Sequence, residues 1–68
     1  MIDLKDMITK IVYLSPEGLS PIEIVESVDQ QFGIKTTTKK VLQIVEANPE
    51  LFIEMQGKIK SPSNHYQK

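Results

Sequence analysis

Six of the eight lysines of this 68-residue chain lie in its second half, and they are its main candidates for chemistry. Residues 1–34 carry two lysines against six acidic residues, for a net charge of −4. Residues 35–68 carry six lysines against three acidic residues, for a net charge of +3. The total of −1 therefore conceals a dipole, and an anionic partner is attracted to the second half and repelled by the first.

Polar side chains that suit a nucleic acid accompany these lysines. Lys39 and Lys40 follow three threonines and precede Gln43. Ammonium groups at the start of a helix add to the attraction of its free amides for phosphate, and a glutamine amide can pair with adenine. Arginine, which reads guanine bidentately, is absent from the sequence. We therefore expect contacts with a phosphate backbone to contribute more than base readout.

The sequence lacks the residues that metal binding and catalysis usually need. Without cysteine there is neither a disulfide framework nor a thiolate metal site, and His65 has no second His or Cys to complete a metal site. The sequence contains no Ser/His/Asp set, no Gly-rich phosphate loop and no evident pair of catalytic carboxylates. A chain of this length also has little room for a cleft that buries a substrate. We expect no enzyme activity, no cofactor and no bound metal.

The length and hydrophobic content predict one small folded domain. Hydrophobic residues make up 40% of the chain, which is enough for one core and too much for a disordered chain of this charge. No apolar run approaches the roughly 20 residues that span a membrane, and no signal peptide is recognisable. We expect a cytoplasmic protein without a membrane partner.

The best-defined helix start belongs to the second of three predicted helices. Ser20 fits the N-cap, Pro21 fits the first helical position, and Glu23 completes a Ser-x-x-Glu capping box. The helix is predicted to run to Phe32 and to end at Gly33, which favours the left-handed conformation. One face is expected to carry Ile22, Val25, Val28 and Phe32 into the core, with Ile24 on its flank.

Amphipathic patterns predict a helix on either side of this one. Apolar spacing predicts the first over residues 2–14, followed by a turn over residues 15–18. The third is predicted over about residues 37–47, with threonine hydroxyls at its start and Asn48-Pro49 beyond its end. The core is expected to bury together Ile11, Val28, Val41 and Ile44.

A hairpin over residues 51–60 follows, with its turn at Gln56-Gly57. Lys58 and Lys60 are predicted to share one face, because strand residues two apart point to the same side, and Ile59 between them to face the core. Phe52 is expected to lie in the core beneath the hairpin, and Met7 and Met55 to fill core space. Leu19 can form a single-bridge strand. Residues 1–60 are thus predicted as the domain and residues 61–68 as a flexible tail.

The order helix, turn, capped helix, short turn, helix and hairpin resembles the winged helix-turn-helix superfamily over roughly residues 2–60. The resemblance lies in the capped helix LSPIEIVESVDQQFG, the third helix TTTKKVLQIVEAN and the wing LFIEMQGKIKS. Within the superfamily, the layout is similar to small domains of the HARE type and of the RNA polymerase delta-subunit type. The implied fold class is mostly α with a small β-hairpin, as a three-helix winged helix-turn-helix.

This resemblance implies a small protein that binds double-stranded DNA, as a transcription regulator or an accessory module. The third helix is expected in the major groove and the hairpin on the backbone. Glu46, on the same helix face, departs from the pattern because it weakens the approach of phosphate. The residues expected to contact DNA are Lys35, Thr37, Thr38, Lys39, Lys40, Gln43, Lys58 and Lys60.

Three other interpretations of the same residues stay open. The lysines and glutamates can form an ordinary solvated helix face. The domain can instead bind protein, docking on RNA polymerase or another nucleic-acid enzyme through its acidic half or its wing, or forming a homodimer. It can also be a small inhibitor whose acidic face imitates nucleic acid, although a net charge of −1 argues against this.

Overall fold

Three α-helices and a two-stranded antiparallel hairpin make up residues 3–62, the part of the chain described by this computed structural model. The fold is mostly α with a small β-hairpin, in the order of a three-helix winged helix-turn-helix, and this confirms the predicted fold class. The elements are α1 (Leu4–Tyr13), α2 (Pro21–Phe32), α3 (Thr38–Ala47), β1 (Ile53–Met55) and β2 (Lys58–Lys60).

The capping box predicted for α2 is present with both of its hydrogen bonds. The Glu23 N–H donates to Ser20 Oγ at 3.3 Å, and the Ser20 N–H donates to Glu23 Oε1 at 2.9 Å. Gly33 ends the helix in the left-handed conformation with φ of 69°. The bounds of α2 therefore agree with those that the local sequence predicts.

Side-chain caps also fix the starts of α1 and α3. Asp3 accepts a hydrogen bond from the Asp6 N–H at 3.0 Å, and Thr37 Oγ1 accepts one from the Lys40 N–H at 3.2 Å. Thr37 is therefore the N-cap among the three consecutive threonines. The predicted start of α1 at residue 2 lies outside the described residues.

One hydrophobic core joins the helices to the hairpin. The helix α2 packs against both α1 and α3, and β2 packs against α1. Ile59 points into this core, as predicted, and Phe52 is buried in it. The core residues are Met7, Ile8, Ile11, Val12, Ile24, Val28, Val41, Val45, Phe52 and Ile59.

The predicted core face of α2 is wrong at its first turn. Ile24 is fully buried, whereas Ile22 is 61% exposed. At 3.6 residues per turn, Ile24, Val25, Val28 and Phe32 fit within an arc of about 100°, whereas replacing Ile24 by Ile22 widens that arc to about 120°. The narrower arc faces the core, and Ile22 lies outside it.

A smaller correction applies to α3. Val41 and Val45 are buried, while Ile44 is only partly buried against the core. The four apolar residues of this helix span an arc centred between Val41 and Val45, with Leu42 and Ile44 on its two flanks. The predicted burial is therefore confirmed for Ile11, Val28 and Val41, whereas Ile44 lies at the edge of the core.

The hairpin is tied to the rest of the fold by Leu19, which forms the single bridge expected of it. The Leu19 N–H donates to the Ile59 carbonyl at 3.0 Å, and the Ile59 N–H donates to the Leu19 carbonyl at 2.8 Å. At the tip, Gln56 and Gly57 have φ of 55° and 77°, the signs of a type I′ turn. The wing is therefore held through the middle of β2 by the segment between α1 and α2.

One further prediction needs correction at the hairpin. Met55 is 40% exposed and does not fill core space. Its strand partner is Lys58, so it lies on the face of the hairpin that carries the wing lysines, opposite to Ile59. At the start of the predicted tail, Ser61 is buried and Pro62 is partly buried. The rest of that tail, with His65, lies outside the described residues.

Candidate nucleic-acid interface

The start of α3 presents two exposed lysines beside backbone amides that have no acceptor. The Lys40 N–H and the Val41 N–H donate to the Thr37 hydroxyl and carbonyl. Among residues 3–62, nothing accepts from the N–H groups of Thr38 and Lys39. Neither Lys39 nor Lys40 forms an ion pair within this part of the chain. This end of the helix thus combines free amides with two exposed lysines, and both kinds of group attract an anion.

The outer face of α3 carries mixed charge beyond its first turn. Lys39, Gln43 and Glu46 are exposed and recur at the i, i+4, i+7 spacing that places residues on one stripe. A ligand lying along this stripe meets a cation first, an amide next and a carboxylate last. The Glu46 carboxylate sets a limit to how far a phosphate strand can follow the helix.

Lys35 and the three threonines that follow it differ in whether their polar atoms are already engaged within the domain. Lys35 Nζ lies 3.1 Å from Asp29 Oδ2, and both side chains are largely exposed, so the pair is weak and easily exchanged. The Thr37 oxygen is occupied by its cap, whereas Thr38 is exposed. Thr36 Oγ1, by contrast, is buried without a hydrogen-bond partner.

The wing lysines share one face, as predicted, but that face rests on the turn between α1 and α2. A methyl group placed on Gly18 would lie 2.8 Å from Lys60 Cγ and 3.2 Å from Lys58 Cβ. Gly18 is buried and has φ of 88°, a conformation that favours glycine. The stems of both lysines therefore pack on the turn, with Lys60 partly buried and Lys58 exposed.

Several acidic residues of the first half already have structural partners. The Asp6 N–H donates to Asp3 and lowers the pKa of that carboxyl, and the Ser20 N–H does the same for Glu23. The charge of Lys58 lowers the pKa of Glu23 further. Asp29 pairs with Lys35. These three acids have structural roles in two caps and an ion pair, so their presence is explained without an acidic docking face.

Two open grooves cross the described surface. One, of about 440 Å³, lies between α1 and the ends of the hairpin segment and is lined by Asp6, Thr9, Lys10, Tyr13, Glu50, Leu51, Ser61 and Pro62. The other, of about 360 Å³, lies between the turn after α1 and the wing. Within residues 3–62, no group of three His, Cys, Asp or Glu side chains is placed to hold a metal ion. None of the described helices is long and apolar enough to cross a membrane.

The predicted site residues thus form two groups, one at the start of α3 and one on the wing. Both groups stand on the same core, because Val41 and Ile59 belong to one cluster. Sequence reasoning missed the contact of Gly18 with the wing and the coupling of Glu23 to Lys58. The glycine in a turn was a visible signal, but nothing in the sequence pairs it with a strand forty residues later.

Comparison with known proteins adds no relative to this description. No protein-family model, no curated protein and no solved structure matches the chain significantly. The function is therefore inferred from the geometry and charge of the residues themselves.

Proposed function

We propose that this domain is a winged helix-turn-helix that binds double-stranded DNA, with α3 in the major groove and the hairpin along the backbone. The observation that carries the proposal is the start of α3. Lys39 and Lys40 are exposed and unpaired there, and the amides of Thr38 and Lys39 have no acceptor within residues 3–62. Phosphate satisfies both kinds of group at once.

The residues beyond this start predict modest sequence preference. Gln43 offers the one side-chain amide on the exposed stripe of α3 that can read a base edge, and its neighbour Glu46 opposes phosphate. A domain with few phosphate contacts binds weakly alone, so the proposal includes a dimer or a larger complex on DNA. It also includes a cytoplasmic location and a role in transcription regulation or as an accessory module.

A second candidate function is protein binding through the acidic half. Tyr13, Leu14 and Ile22 are 54%, 66% and 61% exposed, and they flank the turn between α1 and α2. Exposed apolar side chains of this size mark interaction surfaces when they are contiguous. Phe52 is buried in the core, as expected, and so offers no apolar partner surface on the wing.

The test is an electrophoretic shift with random-sequence duplex at two salt concentrations. DNA binding through the lysines predicts that log affinity falls with log salt at a slope of roughly −3 to −5, since each neutralised phosphate contributes about −0.9. No shift at low salt, with folded protein in excess, contradicts the proposal and favours the protein-binding candidate.

A further inference from the structure

Lys58 of the wing and Glu23 of α2 share a groove. With the turn after α1, they line the space of about 360 Å³ between that turn and the wing. The Glu23 carboxylate is held there by the Ser20 N–H at 2.9 Å, so its position is fixed by the capping box. Lys58 is held from the other side, because its stem packs on Gly18. A fixed negative charge therefore stands beside a cation that is expected to contact DNA.

The attraction between these two groups stops short of a salt bridge. Among residues 3–62, the ion pair between Lys35 and Asp29 is the one within 4 Å, and Lys58 forms none. The Lys58 charge nevertheless lowers the pKa of Glu23, after the larger effect of the Ser20 N–H. Lys58 and Glu23 thus face one groove without an ion pair between them, so the Lys58 ammonium group stays available to a phosphate.

We propose that Glu23 sets the affinity of the wing for DNA, because its charge competes with phosphate for Lys58. This inference rests on the proposed DNA binding. The same carboxylate would serve two purposes, since it caps α2 through hydrogen bonds and reduces the positive potential of the wing through its charge. Glu17, which lines the same groove, adds to that field without a capping duty.

The two purposes can be separated by one substitution. Glu23→Gln removes the charge but keeps an oxygen that can complete the capping box. Glu26→Gln is the matched control, because Glu26 is an exposed acid of the same helix that does not line the groove with Lys58. Lys58→Met removes the ammonium group and keeps an unbranched stem against Gly18. Circular dichroism and thermal unfolding verify that each variant stays folded.

Binding is measured by fluorescence anisotropy on a short random-sequence duplex at about 50 mM salt. Glu23→Gln should tighten binding by up to about five-fold, the range for exposed charge pairs. Glu26→Gln should have a smaller effect. In the Lys58→Met background, Glu23→Gln should give no gain in affinity. NMR titration of the single variant Lys58→Met should find a higher pKa for Glu23 than in the parent.

Each result of this experiment decides something different. Suppose that the parent binds DNA but Glu23→Gln raises the affinity no more than Glu26→Gln does, or raises it equally in the Lys58→Met background. The inference is then overturned, and DNA binding stands. An unchanged Glu23 pKa in Lys58→Met overturns the coupling on its own. If the folded parent does not bind duplex at all, the proposed function fails, and the inference fails with it.

Discussion

The lysines at the start of α3 and the lysines of the wing are the same residue type in two different environments. Lys39 and Lys40 stand at an exposed helix end with uncapped amides beside them and without an ion pair in the described chain. Lys58 and Lys60 lay their stems on the turn at Gly18, and Lys58 lines the same groove as Glu23. The first pair presents charge with little opposing it, while the second pair also contributes to packing.

This difference indicates that the charge pattern of a sequence locates a basic surface but does not show which of its lysines also contribute to packing. In α3, a lysine can be removed at little structural cost, so its loss reports on binding. In the wing, a lysine substitution alters packing and an intramolecular attraction as well as binding. The double substitution Lys58→Glu with Lys60→Glu therefore changes packing and binding at once, because both lysine stems lie against Gly18.

The wing should be the more structurally sensitive of the two regions. Ile59→Ala removes a fully buried side chain between the two wing lysines and should lower the free energy of unfolding by about 2–5 kcal/mol. Met55→Ala, at an exposed position of the same hairpin, should cost under about 1 kcal/mol. Urea denaturation measures both, and equal losses would mean that the wing is not anchored through Ile59.

Two glycines with left-handed φ allow the contact between turn and wing to be isolated. Gly33→Ala should lower the free energy of unfolding by about 1–2 kcal/mol, because alanine disfavours the left-handed conformation. A methyl group at this position meets nothing within 4 Å, so no collision adds to this cost. Gly18→Ala should cost about 1 kcal/mol more, because its methyl group collides with the stems of Lys58 and Lys60. Thermal unfolding of the two variants compares them. Equal midpoints would contradict the packing of the wing on this turn.

The smallest effect is expected at the turn before α3. Thr36 Oγ1 is buried without a partner, so Thr36→Val should leave stability unchanged or raise it by up to about 1 kcal/mol. Thr37→Val, at the N-cap, should instead lower it by about 1 kcal/mol. If chemical denaturation finds that Thr36→Val destabilises the protein, the Thr36 hydroxyl has a partner.

Local signals in the sequence predict most of the fold. The capping box at Ser20 and Glu23, the left-handed stop at Gly33 and the alternation around Ile59 depend on neighbouring residues, so each could be recognised without tertiary information. The exchange of Ile22 for Ile24 shows the limit of periodicity. Five apolar residues on one helix allow two overlapping faces, and the packing of α1 and α3 selects between them.

The candidate site was less predictable than the fold. The positions of Lys39 and Lys40 at the start of α3 follow from their place after the threonine cap. The environment of Lys58 does not, because it depends on Gly18 and Glu23, which are distant in sequence and adjacent in the fold. Charge counting treats all the lysines of the second half as equal, and long-range packing makes them different.

The most direct measurement is the salt dependence of duplex binding by the parent and two double variants. Lys39→Ala with Lys40→Ala should flatten the slope of log affinity against log salt by about two and weaken binding to all sequences alike. Lys5→Ala with Lys10→Ala removes the same charge from exposed positions on α1 and should leave the slope unchanged. Equal slopes for the two double variants, or no binding by the folded parent at low salt, would contradict the assignment of the α3 start as the DNA contact.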